Sequence, residues 1–69
     1  MEDLLTLQDC KHEIGSLWID GWDNYYLIVD VFENKHIDNR PEFIIEHTRT
    51  GNRFENEVRD FYTYHSKIS

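Results

Sequence analysis

The 69-residue chain contains one cysteine, one proline and three glycines. Because Cys10 has no second thiol to pair with, an internal disulfide is excluded, and small secreted scaffolds usually need several. Long apolar runs are also missing: the longest, residues 25–29, is far shorter than the roughly 20 residues that span a bilayer. We therefore expect a protein that folds without disulfides and does not cross a membrane.

Basic side chains are half as frequent as acidic ones, 7 against 14, which gives a net charge of −7. This excludes a protein whose whole surface binds phosphates, since that affinity comes from lysine and arginine. Residues 34–69 are balanced, so the whole surplus lies in residues 1–33, whose single base is Lys11 and whose acids are Glu2, Asp3, Asp9, Glu13, Asp20, Asp23, Asp30 and Glu33. The asymmetry indicates either a partner with a basic surface or a solvated acidic face that maintains solubility.

Signals for catalysis and metal binding are scarce as well. Cys10 and His12 lie two residues apart and His36, His47 and His65 are scattered, without the close ligand pairs that zinc sites use. No serine lies in a glycine-flanked elbow, and a chain of this length leaves no room for a deep cleft beside its core. We expect no enzyme activity, no metal and no cofactor.

The start of the chain, Met1-Glu2-Asp3, is acidic where a secretory signal would be basic. The sequence therefore predicts a cytoplasmic protein with a single domain over residues 1–69. Within it, residues 1–14 form a helical or extended segment: Leu4, Leu7 and Lys11 have helical spacing, whereas Leu5 and Leu7 alternate with polar residues as in a strand. A short amphipathic helix is the interpretation we favour.

From Gly15 onward the pattern is typical of β structure. We predict strands at residues 17–20, 25–32, 42–48 and 53–58, a final short strand at 62–65, and a loop at 33–41. In the second strand Tyr25, Leu27, Val29 and Val31 would share one face. Four to five short strands over residues 15–65 favour a small SH3-like antiparallel barrel with the short N-terminal helix, because closure removes exposed edges. The alternative is an α+β arrangement, a three-stranded antiparallel sheet with the helix packed on it.

The succession of aromatic, apolar and glycine positions resembles a group of uncharacterised small bacterial and phage proteins that form short barrels. The resemblance covers residues 15–61 and rests on Gly15-Ser16-Leu17-Trp18, Tyr25, Leu27, Val31, Phe43-Ile44-Ile45-Glu46, Thr50-Gly51, Arg53-Phe54, Val58-Arg59 and Phe61. Where that pattern has Arg-Pro, this chain has Arg59-Asp60. The resemblance implies a barrel and a phage or bacterial origin, with the host cytoplasm as location if phage-encoded, and it implies no catalytic residue.

Aromatic side chains cluster around the first predicted hairpin loop, beside two acids. Trp22 lies in a polar turn where burial is not automatic, and exposed aromatics are favoured interface anchors. The predicted protein-binding residues are Asp20, Trp22, Asp23, Tyr26, Asp30 and Glu33. We expect a non-enzymatic interaction module, a phage or bacterial accessory protein that binds and inhibits or modulates a host protein with a basic, nucleic-acid-binding surface.

The alternative function uses the second half of the chain. Arg49, Arg53 and Arg59, with aromatics nearby, would form a basic strip for a nucleic-acid-associated regulator. Interleaved acids favour cross-strand ion pairs instead, so direct nucleic-acid binding is not the main expectation. A homodimer is a further option, because a domain this small has much apolar surface to cover.

Overall fold

The computed structural model describes residues 7–36 and 38–69, in which five strands form one antiparallel sheet. The strands are β1 (Leu17–Ile19), β2 (Tyr25–Asn34), β3 (Arg40–His47), β4 (Arg53–Glu57) and β5 (Ser66–Lys67), in the spatial order β4-β3-β2-β1-β5. Helix α1 (Leu7–Cys10) continues into a 3-10 turn (Lys11–Glu13) before β1, and helix α2 (Val58–Tyr64) separates β4 from β5.

The predicted mainly β class is confirmed, but the sheet is not closed into a barrel, since β4 and β5 lie at its two opposite edges. The three-stranded alternative has too few strands. The final strand predicted at residues 62–65 is wrong, because this stretch belongs to α2 and β5 follows it. Tyr62 and Tyr64 alternate with polar residues as in a strand, yet Val58 and Phe61 are spaced by three residues and are both buried. That helical spacing determines the structure here.

A β-bulge in β2 changes which of its residues face the core. Ile28 pairs with Ile45 and Asp30 pairs with Ile44, so Val29 is an extra residue between two consecutive pairs. As a result Ile28 and Val31 are both buried. The predicted common face of Tyr25, Leu27, Val29 and Val31 is therefore wrong, because strict alternation ends at the bulge.

The connection between β2 and β3 is shorter than the predicted loop at residues 33–41. Cross-strand pairing extends to Glu33 with Pro41 and Asn34 with Arg40. Asp38 and Asn39 adopt positive φ angles of 52° and 54°. Asp and Asn tolerate this left-handed conformation better than most residues, which permits the tight reversal.

Both described helices place buried residues against one side of the sheet, which we call the core face. Phe61 of α2 contacts Trp18 edge-to-face at a centroid distance of 5.0 Å and Phe43 at 5.4 Å, and Tyr62 stacks on Trp18 at 5.4 Å. Buried residues of both helices and of three strands complete the core: Cys10, Trp18, Ile28, Val31, Phe43, Ile45, Val58 and Phe61. One aromatic-rich layer therefore joins the helices to the sheet.

Of the N-terminal segment predicted at residues 1–14, residues 7–13 form α1 and the 3-10 turn, while residues 1–6 lie outside the described residues. Glu13 at the end of the turn forms an ion pair with Lys67 of β5 at 2.9 Å. Buried Ser16 accepts a hydrogen bond from Trp18 Nε1 at 2.7 Å and donates one to the Glu13 carbonyl. These contacts attach the N-terminal turn to the last strand and to the core.

We expect Phe61→Ala to lower the free energy of unfolding by about 3–5 kcal/mol, because it removes a fully buried ring and leaves a cavity between α2 and the sheet. Tyr64→Ala is the matched control on the same helix, since Tyr64 is 70% exposed, and it should change stability by no more than about 0.5 kcal/mol. Urea unfolding followed by circular dichroism measures both. Equal losses in the two variants would contradict this packing.

A second prediction concerns the Tyr62 phenol. Burial, with the nearby Glu13 and Cys10, raises the pKa of Tyr62 to about 12. Because the folded state retains this proton longer than the unfolded chain, the stabilisation is complete below about pH 10 and is lost as pH rises toward about 12. Absorbance titration at alkaline pH should show a late phenol step that Tyr62→Phe removes and Tyr64→Phe preserves. A late step that survives in Tyr62→Phe would disprove the assignment.

Candidate protein-interaction surface

The loop between β1 and β2, residues 20–24, is organised around the carboxylate of Asp20. Its Oδ1 accepts hydrogen bonds from the backbone N–H groups of Trp22 at 2.8 Å and Asn24 at 3.0 Å. Its Oδ2 accepts from Asn24 Nδ2 at 3.2 Å and from the Tyr26 hydroxyl at 3.3 Å. The predicted binding residue Asp20 thus holds the loop in one conformation.

The pKa of Asp20 reflects these contacts. Desolvation alone would raise it, but the hydrogen bonds from the Asn24 and Trp22 backbone, the Asn24 side chain and the Tyr26 hydroxyl together lower it below its ordinary value of 3.8. The loop therefore favours the ionised carboxylate. Protonation of Asp20 weakens the contacts that hold the loop.

Trp22 lies in this loop with 83% of its surface exposed, more than any other large hydrophobic residue of the described chain. Its backbone is fixed by Asp20 while its indole lies in solvent. Asp23 follows it, also exposed and with a φ of 63° that forms the turn. The loop presents an aromatic ring and a carboxylate side by side on a defined backbone.

Tyr26, the fourth predicted residue at this end of the sheet, is half-buried. The rings of His47 and His65 each contact its ring edge-to-face at a centroid distance of 5.2 Å. Burial raises the pKa of its phenol, and the charge of Asp20 and the hydrogen bond to it act in the same direction. Tyr26 supports the loop from below and is not a free anchor.

Sequence reasoning missed the roles of Asn24, His47 and His65. His47 Nε2 lies 3.2 Å from Asn24 Oδ1, and its Nδ1 accepts the N–H groups of Arg49 at 3.3 Å and Thr50 at 3.4 Å. His65 stacks on Phe61 at 4.1 Å. The signal that identifies His47 is the cross-strand register, which places it opposite Tyr26 and becomes visible only once β2 and β3 are aligned.

Asp30 and Glu33 lie away from the loop. Asp30 points from the opposite side of the sheet, and its Oδ1 accepts the N–H of Val31 at 2.8 Å. Glu33 is seven residues from Tyr26 along β2, roughly 23 Å at the usual rise of a strand. The structure brings together four of the six predicted residues and separates these two from them.

The three arginines of the alternative prediction are not gathered into a strip. Arg53 forms an ion pair with Glu46 at 3.0 Å on the side of the sheet away from the helices. Arg59 lies on α2, which covers the core face, and has a contact of its own. Arg49 lies in the turn between β3 and β4. A nucleic-acid strand would have to contact both sides of the sheet to reach all three.

A shallow cavity of about 410 Å³ lies at the other end of the sheet from Trp22. The Arg40–Glu57 ion pair, at 3.0 Å, lines it together with Asp38, Arg59 and Asp60. Charges of both signs are mixed there. Among residues 7–36 and 38–69, no group of three or more histidine, cysteine or acidic side chains is placed to hold a metal ion.

Comparison of the chain with protein-family models, with curated proteins and with solved structures finds no match. The resemblance to small barrel proteins stays a prediction. In the part of the chain that the structure describes, no helix is long and apolar enough to cross a membrane.

We expect Asp20→Asn to lower the free energy of unfolding by about 1 kcal/mol at neutral pH, because the new amide faces the Asn24 amide and the Tyr26 hydroxyl where an acceptor is needed. Asp23→Asn is the control, since an exposed asparagine tolerates the same positive φ.

The variants Asp20→Asn and Asp23→Asn also test how the free energy of unfolding depends on pH. A lowered pKa in the folded state gives stability that is present above about pH 3.8 and is lost as pH falls through the folded value. The difference between wild type and Asp20→Asn should therefore shrink on acidification, as measured by urea unfolding at several pH values. A difference that is constant down to low pH, or equal effects of the two variants, would refute the role of Asp20.

Proposed function

We propose that the chain is a non-enzymatic acidic protein-interaction module that binds a partner protein with a basic surface through its β1–β2 loop. The observation that carries this proposal is Trp22, which is 83% exposed on a loop whose backbone is fixed by hydrogen bonds. Exposing an indole to water is unfavourable, and tryptophan is enriched among the residues that dominate binding energy at interfaces.

The rigidity of the loop supports this function. Ordering a flexible segment on binding costs free energy that is subtracted from the affinity. Here Asp20 already holds Trp22 and Asn24 in place, and Tyr26 supports Asp20 from the sheet. The loop is preorganised for contact before a partner arrives.

Charge supports the choice of a basic partner. Asp23 is exposed next to Trp22, and the chain as a whole carries a net charge of −7. Such a surface attracts a cationic protein over distances of about one Debye length and repels nucleic acid. If the partner binds nucleic acid, the carboxylates of this chain take the places of phosphates in the partner's binding site. A phage or bacterial accessory protein could modulate a host protein in this way.

The test is affinity capture from a bacterial lysate with three forms of the chain and quantitative mass spectrometry of the eluates. A partner should be enriched by the wild type and by Tyr64→Ala, which removes an aromatic ring of α2 that is 70% exposed and does not belong to the loop. Trp22→Ala should weaken capture of that partner roughly tenfold or more, as expected for an interface anchor. A partner that all three forms capture equally would overturn the assignment of Trp22.

The electrostatic part of the proposal is tested on the captured partner. Affinity should fall between about 50 mM and about 500 mM salt, and Asp23→Asn should reduce this salt dependence. A short duplex DNA or RNA should compete if the partner's nucleic-acid site is the one occupied. Affinity that does not respond to salt or to Asp23→Asn would disprove recognition through charge.

A further inference from the structure

The sheet has a second side, the outer face, formed by residues that alternate with those of the core face. Cross-strand pairing aligns its members in rows, such as Leu17 with Leu27, Leu27 with Glu46 and Glu46 with Arg53. The helices α1 and α2 both place their buried side chains on the core face. The outer face is therefore the side of the sheet that these helices do not cover.

One half of the outer face, on β1 and β2 and the adjoining position of β3, is mostly apolar, with Asp30 of β2 as its acidic member. Leu17, Ile19, Leu27 and Ile44 are only half-buried, and Tyr25 is 42% exposed. The water-facing side of an antiparallel sheet normally carries polar residues in alternation with the core positions. An apolar set in this position is typical of a surface that another molecule covers.

The other half of the outer face, on β3 and β4, is acidic. Arg40 and Arg53 neutralise two of its carboxylates, Glu57 and Glu46, at 3.0 Å each. Asp30 and Glu55 on this side are exposed and lie outside these two ion pairs, whereas Glu42 is buried and accepts a hydrogen bond from Asn34 Nδ2 at 2.8 Å. An apolar strip thus lies beside a strip with an excess of negative charge.

We propose that the outer face binds an amphipathic, cationic helix of a partner protein. The dimensions fit, since a helix about 10 Å wide covers two strands that lie about 4.8 Å apart. An apolar stripe on the helix would lie over Leu17, Leu27 and Ile44. Lysine or arginine side chains on one flank would then reach the carboxylate of Glu55, which pairs across the strands with Ile44 and lies outside the two ion pairs.

Charge complementarity selects this occupant over a second copy of the chain. Two copies would bring together molecules that each carry a net charge of −7. Like charges across an interface disfavour association, whereas a cationic flank gains attraction from the same carboxylates. The inference rests on the proposed function in taking the partner to be a basic protein, but it uses a different surface from the Trp22 loop.

The experiment uses the full chain and a synthetic 18-residue helical peptide of leucine and lysine, with leucine at positions i, i+3, i+4 and i+7. Fluorescence anisotropy of the labelled peptide gives the affinity, and backbone amide shifts of the isotope-labelled protein locate the site. We expect shifts at Leu17, Leu27, Ile44 and Glu55. A peptide of the same composition in scrambled order, and one with glutamate in place of lysine, should each bind at least tenfold more weakly.

Two pairs of variants separate apolar from electrostatic recognition. Ile44→Thr keeps a β-branched residue in β3 and should weaken peptide binding roughly tenfold. The matched control is Ile14→Thr, which makes the same change at an isoleucine that lies outside the sheet and is 44% exposed, and it should leave peptide binding unchanged. Glu55→Lys should weaken binding by a similar factor. Its control Glu33→Lys makes the same charge change at an exposed position that alternates onto the other side of β2.

Several results would overturn the inference. Absence of shifts on the outer face at millimolar peptide, or equal affinities for the helical and scrambled peptides, would do so. Sedimentation showing a dimer that Ile44→Thr dissociates would assign the face to a second copy instead. Shifts confined to Trp22 and Asp23 would exclude the outer face and leave the proposed function intact, whereas failure of the Trp22→Ala capture test would leave the peptide result unaffected.

Discussion

The contact between α2 and the sheet is the constraint on which the rest of this structure depends. A sheet with one strand of three residues and another of two has little stability of its own and needs a cover over its apolar side. Phe61 supplies that cover by packing against Trp18 and Phe43, which belong to strands that are not neighbours in the sheet. The helix thereby connects β1 to β3 across the core face and leads directly into β5 at the edge of the sheet. An open sheet with a helical cover takes the place of barrel closure.

The β1–β2 loop depends on that frame. Asp20, which holds Trp22 and Asn24, also accepts a hydrogen bond from Tyr26, and the rings of His47 and His65 pack against Tyr26. His65 in turn stacks on Phe61, so a continuous path of contacts runs from the core to the exposed indole. Burial therefore decreases in steps from Phe61 to Trp22. The most exposed aromatic of the described chain is thus connected to a fully buried one.

Local patterns predicted most of the strands and the position of the β1–β2 loop. The β-branched and aromatic runs placed four strands within two residues of their ends, and the polar context of Trp22 predicted its exposure. The errors arose where long-range pairing decides the structure. Nothing local shows that Val29 lies outside the ladder, and the helical spacing of Val58 and Phe61 competes locally with the strand-like alternation of Tyr62 and Tyr64 until α2 packs on the sheet. For the same reason the partners of His47 and the separation of Arg53 from Arg59 appear only after the strands are aligned.

The bulge at Val29 has a consequence for how this chain can vary in length. Ile28 and Asp30 pair with Ile45 and Ile44, which are consecutive, so the ladder would be complete without the residue between them. A one-residue deletion inside a central strand normally turns every following side chain to the wrong side of the sheet. At this position the deletion preserves all cross-strand partners. A form of the chain without Val29 can therefore keep both surfaces of the sheet although β2 is one residue shorter.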